Sequence, residues 1–152
     1  MRKAKADCIN RILDANANRL KEGWRVCEEV SRFILNDRLL SAGFKRMRHK
    51  TDILLKELLS CAFLESRDSL KDVGLKCKQP SEFARKNWQD IFFANMQRVK
   101  ESLRVLEEFS KLKSGPVSLQ FKRIRYGAYE LEKRTVKKIL SLRDIRHRGA
   151  EK

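Results

Sequence analysis

The sequence predicts an all-α fold, an antiparallel helical bundle made from two tandem copies of one helical hairpin. Three observations lead there. The chain of 152 residues is rich in Leu, Lys, Arg, Glu and Ala, with only two prolines and six glycines. Such residues lose little side-chain freedom on entering a helix. Strand signals are missing from it, with no Asn-Gly hairpin turn and no sustained alternation of apolar and polar residues. Finally, the chain matches itself. With a shift of 79, Ala15, Asn16, Arg19, Lys21, Glu22, Arg25, Val26, Glu28, Glu29 and Ser31 meet identical residues. With a shift of 77, Phe44-Lys45-Arg46-Met47-Arg48 meets Phe121-Lys122-Arg123-Ile124-Arg125. The same order in both halves marks a duplicated hairpin.

Breaker residues set the elements. The first helix is expected from about Asp7 to Leu35, stopping at Asn36-Asp37, and the second from about Ser41 to Leu64. A non-periodic link over about 65–80 follows, and loops of that length without structure tend to be functional or disordered. The third helix is expected to start near Ser81, just after Pro80, and to end near Lys113, before the stop Ser114-Gly115-Pro116. The fourth covers about Pro116 to Leu142, with a frayed tail over 143–152. Repeat one is thus about 7–64 and repeat two about 81–142 of a single domain spanning 1–152. Two short turns and one longer link suit an antiparallel bundle.

Lys plus Arg number 36 against 20 Asp plus Glu, a net charge of +16. That excess admits nucleic acid, anionic membrane or phosphorylated metabolites as partners, and charge does not choose among them. The cysteines, Cys8, Cys27, Cys61 and Cys77, are far apart and include no CxxC pair, which argues against zinc. Cys8 and Cys27 fall where small apolar residues belong on a helix, so reduced core thiols are expected. The start carries no signal-peptide pattern, and no stretch is apolar enough to span a membrane. A soluble, cytoplasmic protein is expected.

At about 100° per residue, Ile9, Ile12, Leu20, Cys27, Val30 and Ile34 share one helix face. Asn16, Arg19 and Gly23 fall on that same face, while Lys21, Arg25 and Glu28 point away. The third helix repeats this, with Asn95, Arg98 and Ser102 among Ile91, Val105 and Phe109. Arg48 and Arg125 share the stripes of Phe44, Leu55 and Leu58, and of Phe121 and Ile124. Glu22 and Glu101 flank the stripe, each within reach of the arginine three residues earlier. A buried network that fixes helix register would account for such residues. Against it, four inward arginines face two nearby glutamates, and an unpaired buried cation costs several kcal/mol. Gly23 and Ser102 also leave room at matching positions. A site for a phosphorylated ligand between the hairpins is therefore favoured, since arginine's planar fork suits phosphate oxygens. In the link, Asp68 and Asp72 lie beside Arg67. Oxygen ligands of this kind suit Mg2+, although Asp68 capping a turn would be ordinary loop chemistry. No phosphate-binding Gly-rich loop or nucleophile elbow occurs in the sequence.

Arg11-Ile-Leu-Asp-Ala-Asn16 with Asn18-Arg19, Glu22-Gly23 and Arg25-Val26 resembles the opening motif of a small thiamin-biosynthesis family. Ser66-Arg67-Asp68 with Asp72-Val73-Gly74 fits it, as do Leu103-Arg-Val-Leu-Glu-Glu108, Phe121-Lys122, Arg125-Tyr126 and Tyr129-Glu-Leu-Glu132. That family is the monofunctional hydroxymethylpyrimidine-phosphate kinase, a domain often fused ahead of thiamin-phosphate synthase. The resemblance runs from about Ile9 to Glu132. Trp24 stands where leucine is usual, and no synthase domain is included, so synthase activity is not expected of this chain.

The resemblance implies transfer of the ATP γ-phosphate to 4-amino-5-hydroxymethyl-2-methylpyrimidine phosphate. Arg19, Arg98, Arg48 and Arg125 would then clamp phosphates, Arg67 would neutralise the transferring group, and Asp68 and Asp72 would hold Mg2+. Asn16 and Asn95 would bond the pyrimidine or orient the arginines. Two rivals from other classes remain: a basic nucleic-acid binder, and a structural bundle that partners a separate thiamin-phosphate synthase. The first is disfavoured by lysines interleaved with glutamates and by the lack of an aromatic platform. The sequence leaves a homo-oligomer open, although tandem copies could complete a site within one chain.

Overall fold

A computed structural model of the chain describes residues 2–58, 64–67, 69, 72 and 84–150, with side chains at 6–58, 64–67, 69, 72 and 84–142. Four helices account for nearly all of it, and no strand occurs among the described residues. They are α1 (Arg2–Glu29), α2 (Arg38–Leu58), α3 (Trp88–Ser110) and α4 (Gly115–Ala150). The all-α expectation holds. The backbone of α4 is helical well past Leu142, where fraying was expected.

Chain ends of the helices follow local chemistry. Past Glu29, α1 continues as one wide turn over Val30–Ile34. There the Leu35 N–H reaches back to the Val30 carbonyl at 3.0 Å, and the Asp37 N–H to the Ser31 carbonyl at 3.0 Å. Asn36 takes the left-handed conformation, φ 46°, which asparagine tolerates at a helix C-terminus better than most residues. Asp37 then caps α2, its Oδ1 accepting from the Leu40 N–H at 2.9 Å. The wide turn rotates the register of everything after it. Leu35 is buried, while Phe33 and Ile34 face solvent, so Ile34 leaves the stripe in which the simple helical count put it.

The start of α3 also differs from expectation. Residues 80–83 lie outside the described set, but Ala84 to Asn87 are non-helical. Asn87 caps the helix by accepting from the Asp90 N–H at 2.9 Å, and the Asp90 carboxylate accepts from the Lys86 N–H at 3.0 Å. The first bond satisfies a donor that a helix start leaves orphaned and the second ties down the residue ahead of the cap, and together they outweigh the Pro80-Ser81 signal. Ser114 performs the same service for α4, its Oγ accepting from the Val117 N–H.

The four helices form a closed ring, α1 against α2 and α3, and α4 against α2 and α3. Every neighbouring pair is antiparallel. Trp24 with Thr51 and Glu28 with Arg48 join α1 to α2 in opposite chain order, and Lys100 with Glu132 and Glu107 with Arg125 do so for α3 and α4. Glycines bring two of the crossings close. A Cβ on Gly23 would lie 2.8 Å from Val99 Cγ2 and 3.1 Å from the Asn95 carbonyl oxygen, so α1 and α3 touch there. Gly43 opposes Leu131, and Gly127 opposes Met47, where α2 crosses α4.

Leu13, Leu20, Trp24, Phe44, Phe92, Met96, Leu103, Leu106 and Phe121 fill the centre with almost no exposure. Trp24, Phe44 and Phe92 stack in series at tilted and edge-on angles, arrangements aromatic quadrupoles prefer. The Trp24 indole N–H donates to Thr51 Oγ1 at 3.2 Å, and that hydroxyl donates to the Met47 carbonyl at 2.9 Å. Both buried polar groups are thereby satisfied. Cys27 is buried but Cys8 is exposed, and both are free thiols. The expectation of a core thiol at Cys8 is corrected, because Ala6, Asp7 and Cys8 are exposed, ahead of the point at Asn10 where burial of α1 begins. Cys61 and Cys77 lie outside the described residues. Among those described, no helix is long and apolar enough to cross a membrane, and no group of three His, Cys, Asp or Glu is placed to hold a metal.

Candidate functional site

The four arginines expected to converge, together with Arg67 of the link, divide into three kinds, according to which edges of the guanidinium are already in use. Each has five N–H donors in a planar fork and two edges able to meet an oxyanion. Arg48 is committed to the protein. Its Nε donates to Glu28 Oε2 at 2.7 Å, and its Nη1 lies 4.0 Å from Asp52. The Glu28 bond raises the Arg48 pKa above its ordinary value. Arg125 matches it, with Nε on Glu107 Oε2 at 2.9 Å and Nη1 on the Tyr129 hydroxyl at 2.9 Å. Those two bonds push its guanidinium up as well, Glu107 contributing most. Glu28 therefore does not point away from the bundle, as the helical count suggested. It is buried, as is Glu107.

Arg67 is of a second kind. Its Nε and Nη2 meet Asp14 Oδ2 and Oδ1 at 2.8 and 2.7 Å, a two-point pair bridging the link and α1. The hydrogen bond to Asp14 raises its pKa. One edge of the fork is used, and the Nη1 edge remains, in a half-exposed side chain. Asp14 was not singled out from the sequence as a site residue, although it stands inside the quoted opening motif.

Arg19 and Arg98 are the third kind. Among the described residues neither forms an ion pair, and both are exposed at the mouth of a cleft rather than sunk in the core. The expected reach of Glu22 and Glu101 to these arginines is not made. Glu101 instead accepts from Gln97 at 2.8 Å. The four-to-two charge imbalance therefore shrinks, because Arg48 and Arg125 have glutamates of their own. The imbalance persists at Arg19 and Arg98 alone.

Two clefts adjoin at Arg19. One, of about 600 Å³, lies between α1 and α3 and is lined by Asn16, Arg19, Glu22, Gly23 and their counterparts Asn95, Arg98, Glu101, Ser102, with Val105. The other, of about 630 Å³, lies in front of α1 and is lined by Arg11, Asp14, Asn16, Arg19, Glu22, Arg67, Ser69 and Asp72, among others. Asn16, Arg19 and Glu22 border both. Gly23 adds little room to the first cleft, because its face abuts Val99. Its absent side chain instead lets the two helices approach.

Asn16 and Asn95 are 8% and 9% exposed. Each donates its amide nitrogen to a carbonyl one turn back, Asn16 to Ile12 at 2.9 Å and Asn95 to Ile91 at 2.8 Å. A carbonyl accepts only from the amide nitrogen, so the orientation of both side chains is determined. The Oδ1 of each is left as an acceptor at the cleft wall. These oxygens suit amino or hydroxyl donors of a ligand, and the arginines suit its oxyanions. Arg48 and Arg125 are not brought to either cleft. Asp72 lines the α1 cleft, whereas Asp68 lies outside the described residues.

An antiparallel four-helix bundle carrying a polar cleft between its hairpins is the class that this fold and site define. The chain belongs to the ThiD2 family, which it matches over residues 11–134. It is 39% identical over 132 residues to a thiamine-phosphate synthase of Synechocystis sp., covering 87% of this chain and 37% of that protein. It is 36% identical over 129 residues to one of Rhodopirellula baltica, at 85% and 34% coverage. It is 40% identical over 124 residues to one of Thermosynechococcus vestitus, at 82% and 34%. The chain thus spans about a third of the length of these curated relatives. No solved structure matches it.

Proposed function

We propose that this chain acts in thiamin biosynthesis as a kinase, moving the γ-phosphate of ATP onto 4-amino-5-hydroxymethyl-2-methylpyrimidine phosphate to form the diphosphate. One observation carries the proposal. Arg19 and Arg98 stand across a single interhelical cleft with no carboxylate partner among the described residues, flanked by two asparagine oxygens. Kinship with the ThiD2 family and with thiamine-phosphate synthases supports it.

The reaction suits a site without a catalytic base. The attacking group is a phosphate oxygen already ionised near neutral pH, so no proton need be removed. The bond from the γ-phosphorus to the bridging oxygen breaks, a bond to the acceptor oxygen forms, and ADP leaves. Positioning and charge neutralisation then carry the rate. Arg19 and Arg98 supply fixed positive charge, and the free edge of Arg67 a third contact. Mg2+ shared with nucleotide phosphates requires only one or two carboxylates, and Glu22 and Asp72 border the α1 cleft. That donor set fits a metal arriving with ATP, where it would neutralise phosphate charge.

The test is a coupled assay for ADP with the full chain, ATP, Mg2+ and the pyrimidine monophosphate. ADP release that depends on the monophosphate is expected, and its absence overturns the kinase assignment. Coverage of only a third of the synthase relatives favours one other interpretation, a non-catalytic partner of a separate synthase. That role predicts no rise in melting temperature with ATP or monophosphate.

A further inference from the structure

We propose, resting on the kinase assignment, that the two clefts divide the reactants. The nucleoside triphosphate occupies the cleft of Arg67 in front of α1, the pyrimidine monophosphate occupies the cleft of Arg98 between α1 and α3, and Arg19 serves both at their junction. The two hairpins match where the ligand contacts recur, so the assignment must come from where they differ. Asp14 has Phe93 as its counterpart at the shift of 79 that pairs the repeats. The two-point anchor that holds Arg67 at repeat one therefore cannot form at repeat two.

That anchor aims a guanidinium edge into one cleft only. With Asp14 on its Nε–Nη2 side, Arg67 keeps its remaining edge and lines the same cleft as Arg19, which gives that cleft two forks for a chain of phosphates. The cleft between α1 and α3 has a different character. It is lined by matched residues, floored where Gly23 meets Val99 and walled by Val105, with the Oδ1 atoms of Asn16 and Asn95 as acceptors. A small flat ring with an amino donor and one phosphate meets those groups. A nucleotide with its ribose is larger, and we assign it to the α1 cleft, which Arg67 and Arg19 both line. Arg19 borders both, as do Asn16 and Glu22, so the donor's terminal phosphate and the acceptor oxygen can approach one guanidinium.

The experiment is calorimetric binding of single ligands, a non-hydrolysable ATP analogue with Mg2+ and, separately, the pyrimidine monophosphate. Wild type is compared with Arg67→Lys and Arg98→Gln. Lysine keeps a charge for Asp14 but has no second edge, and Arg98 has no ion-pair partner to strand among the described residues, so both variants should fold. Arg67→Lys is expected to weaken the nucleotide about tenfold, the scale of one charge-assisted contact, and leave the monophosphate unchanged. Arg98→Gln is expected to do the converse. A reversed pattern, equal weakening of both ligands by both variants, or no change in either overturns the division. Should wild type bind neither ligand, the kinase assignment itself falls.

Discussion

Arg48 on α2 donates its Nε–H to Glu28 on α1 at 2.7 Å, and Arg125 on α4 makes the same bond to Glu107 on α3 at 2.9 Å. The duplication thus carries a staple between the two helices of each hairpin. Both glutamates are buried, so removing one partner strands a charge. Glu28→Gln is expected to cost about 2 kcal/mol in urea unfolding, the scale of a hydrogen bond to a charged group. Binding of phosphorylated ligands should persist in the folded fraction. Lost binding with unchanged stability would place the pair in the site instead. The pair's pH dependence follows from the raised Arg48 pKa. A raised folded value gives stability that is complete below the ordinary guanidinium value and lost only as pH rises through the higher one. No loss from this arginine is expected up to about pH 10.

Two glycine-to-alanine changes should behave differently although both sit in helix interiors. Alanine is favoured over glycine there by about 1 kcal/mol. At Gly127 the new methyl meets only the flexible end of Met47, which can move away. Gly127→Ala should lie within about 1 kcal/mol of wild type. At Gly23 the methyl meets a branched valine at 2.8 Å and a backbone carbonyl at 3.1 Å. The helices must part, and Gly23→Ala should cost about 1–3 kcal/mol. Thermal melts of the two variants decide the matter, and equal melting temperatures would contradict the close approach of α1 and α3.

Burial pushes the Cys27 thiol up, with the Glu132 carboxylate adding to it. Only the thiolate is a good nucleophile. A chain retaining Cys27 alone, with Cys8, Cys61 and Cys77 changed to serine, should resist iodoacetamide at about pH 8 and react once unfolded. A chain retaining only the exposed Cys8 should alkylate while folded. Mass spectrometry reads both, and equal rates would refute the packing of Cys27.

The staple was legible in the sequence, because Glu28 and Glu107, like Arg48 and Arg125, are identical at matching positions. A count that allots each helix a single buried stripe hides it. A helix in a ring of four has two neighbours, so its buried arc is wider, and Glu28 lies on the part facing α2. The same geometry puts Arg19 and Arg98 at the edge of the arc, exposed in a cleft rather than enclosed. The start of α3 was misplaced for a different reason. Pro80-Ser81 is a generic start signal, whereas Asn87 accepts from the Asp90 N–H and Asp90 from the Lys86 N–H, bonds that fix the helix start directly. Packing differences between the halves were less legible. Trp24 bonds Thr51, but Leu103 and Ala128 hold the corresponding positions, so an apolar pair replaces a hydrogen-bonded one. The Arg67 anchor spans 53 residues, and helical periodicity carries no information about a contact between a link and a helix.

Arg19 and Arg48 offer the cleanest separation of site from scaffold, because lysine preserves charge at both. Arg48 uses its fork to hold Glu28, while Arg19 has no ion-pair partner among the described residues. Arg48→Lys should therefore lower stability, by about 1 kcal/mol for the lost hydrogen-bond geometry, and leave kcat within about twofold. Arg19→Lys should leave the melting temperature unchanged. If Arg19 stabilises charge that develops on the transferring phosphoryl group, kcat should fall about a hundredfold, as when one preorganised donor is removed. A rise in KM with unchanged kcat would instead make Arg19 a binding contact used equally before and during transfer. Full activity in Arg19→Lys, with loss in Arg48→Lys beyond what unfolding explains, would move the reacting centre out of the cleft and onto the staple.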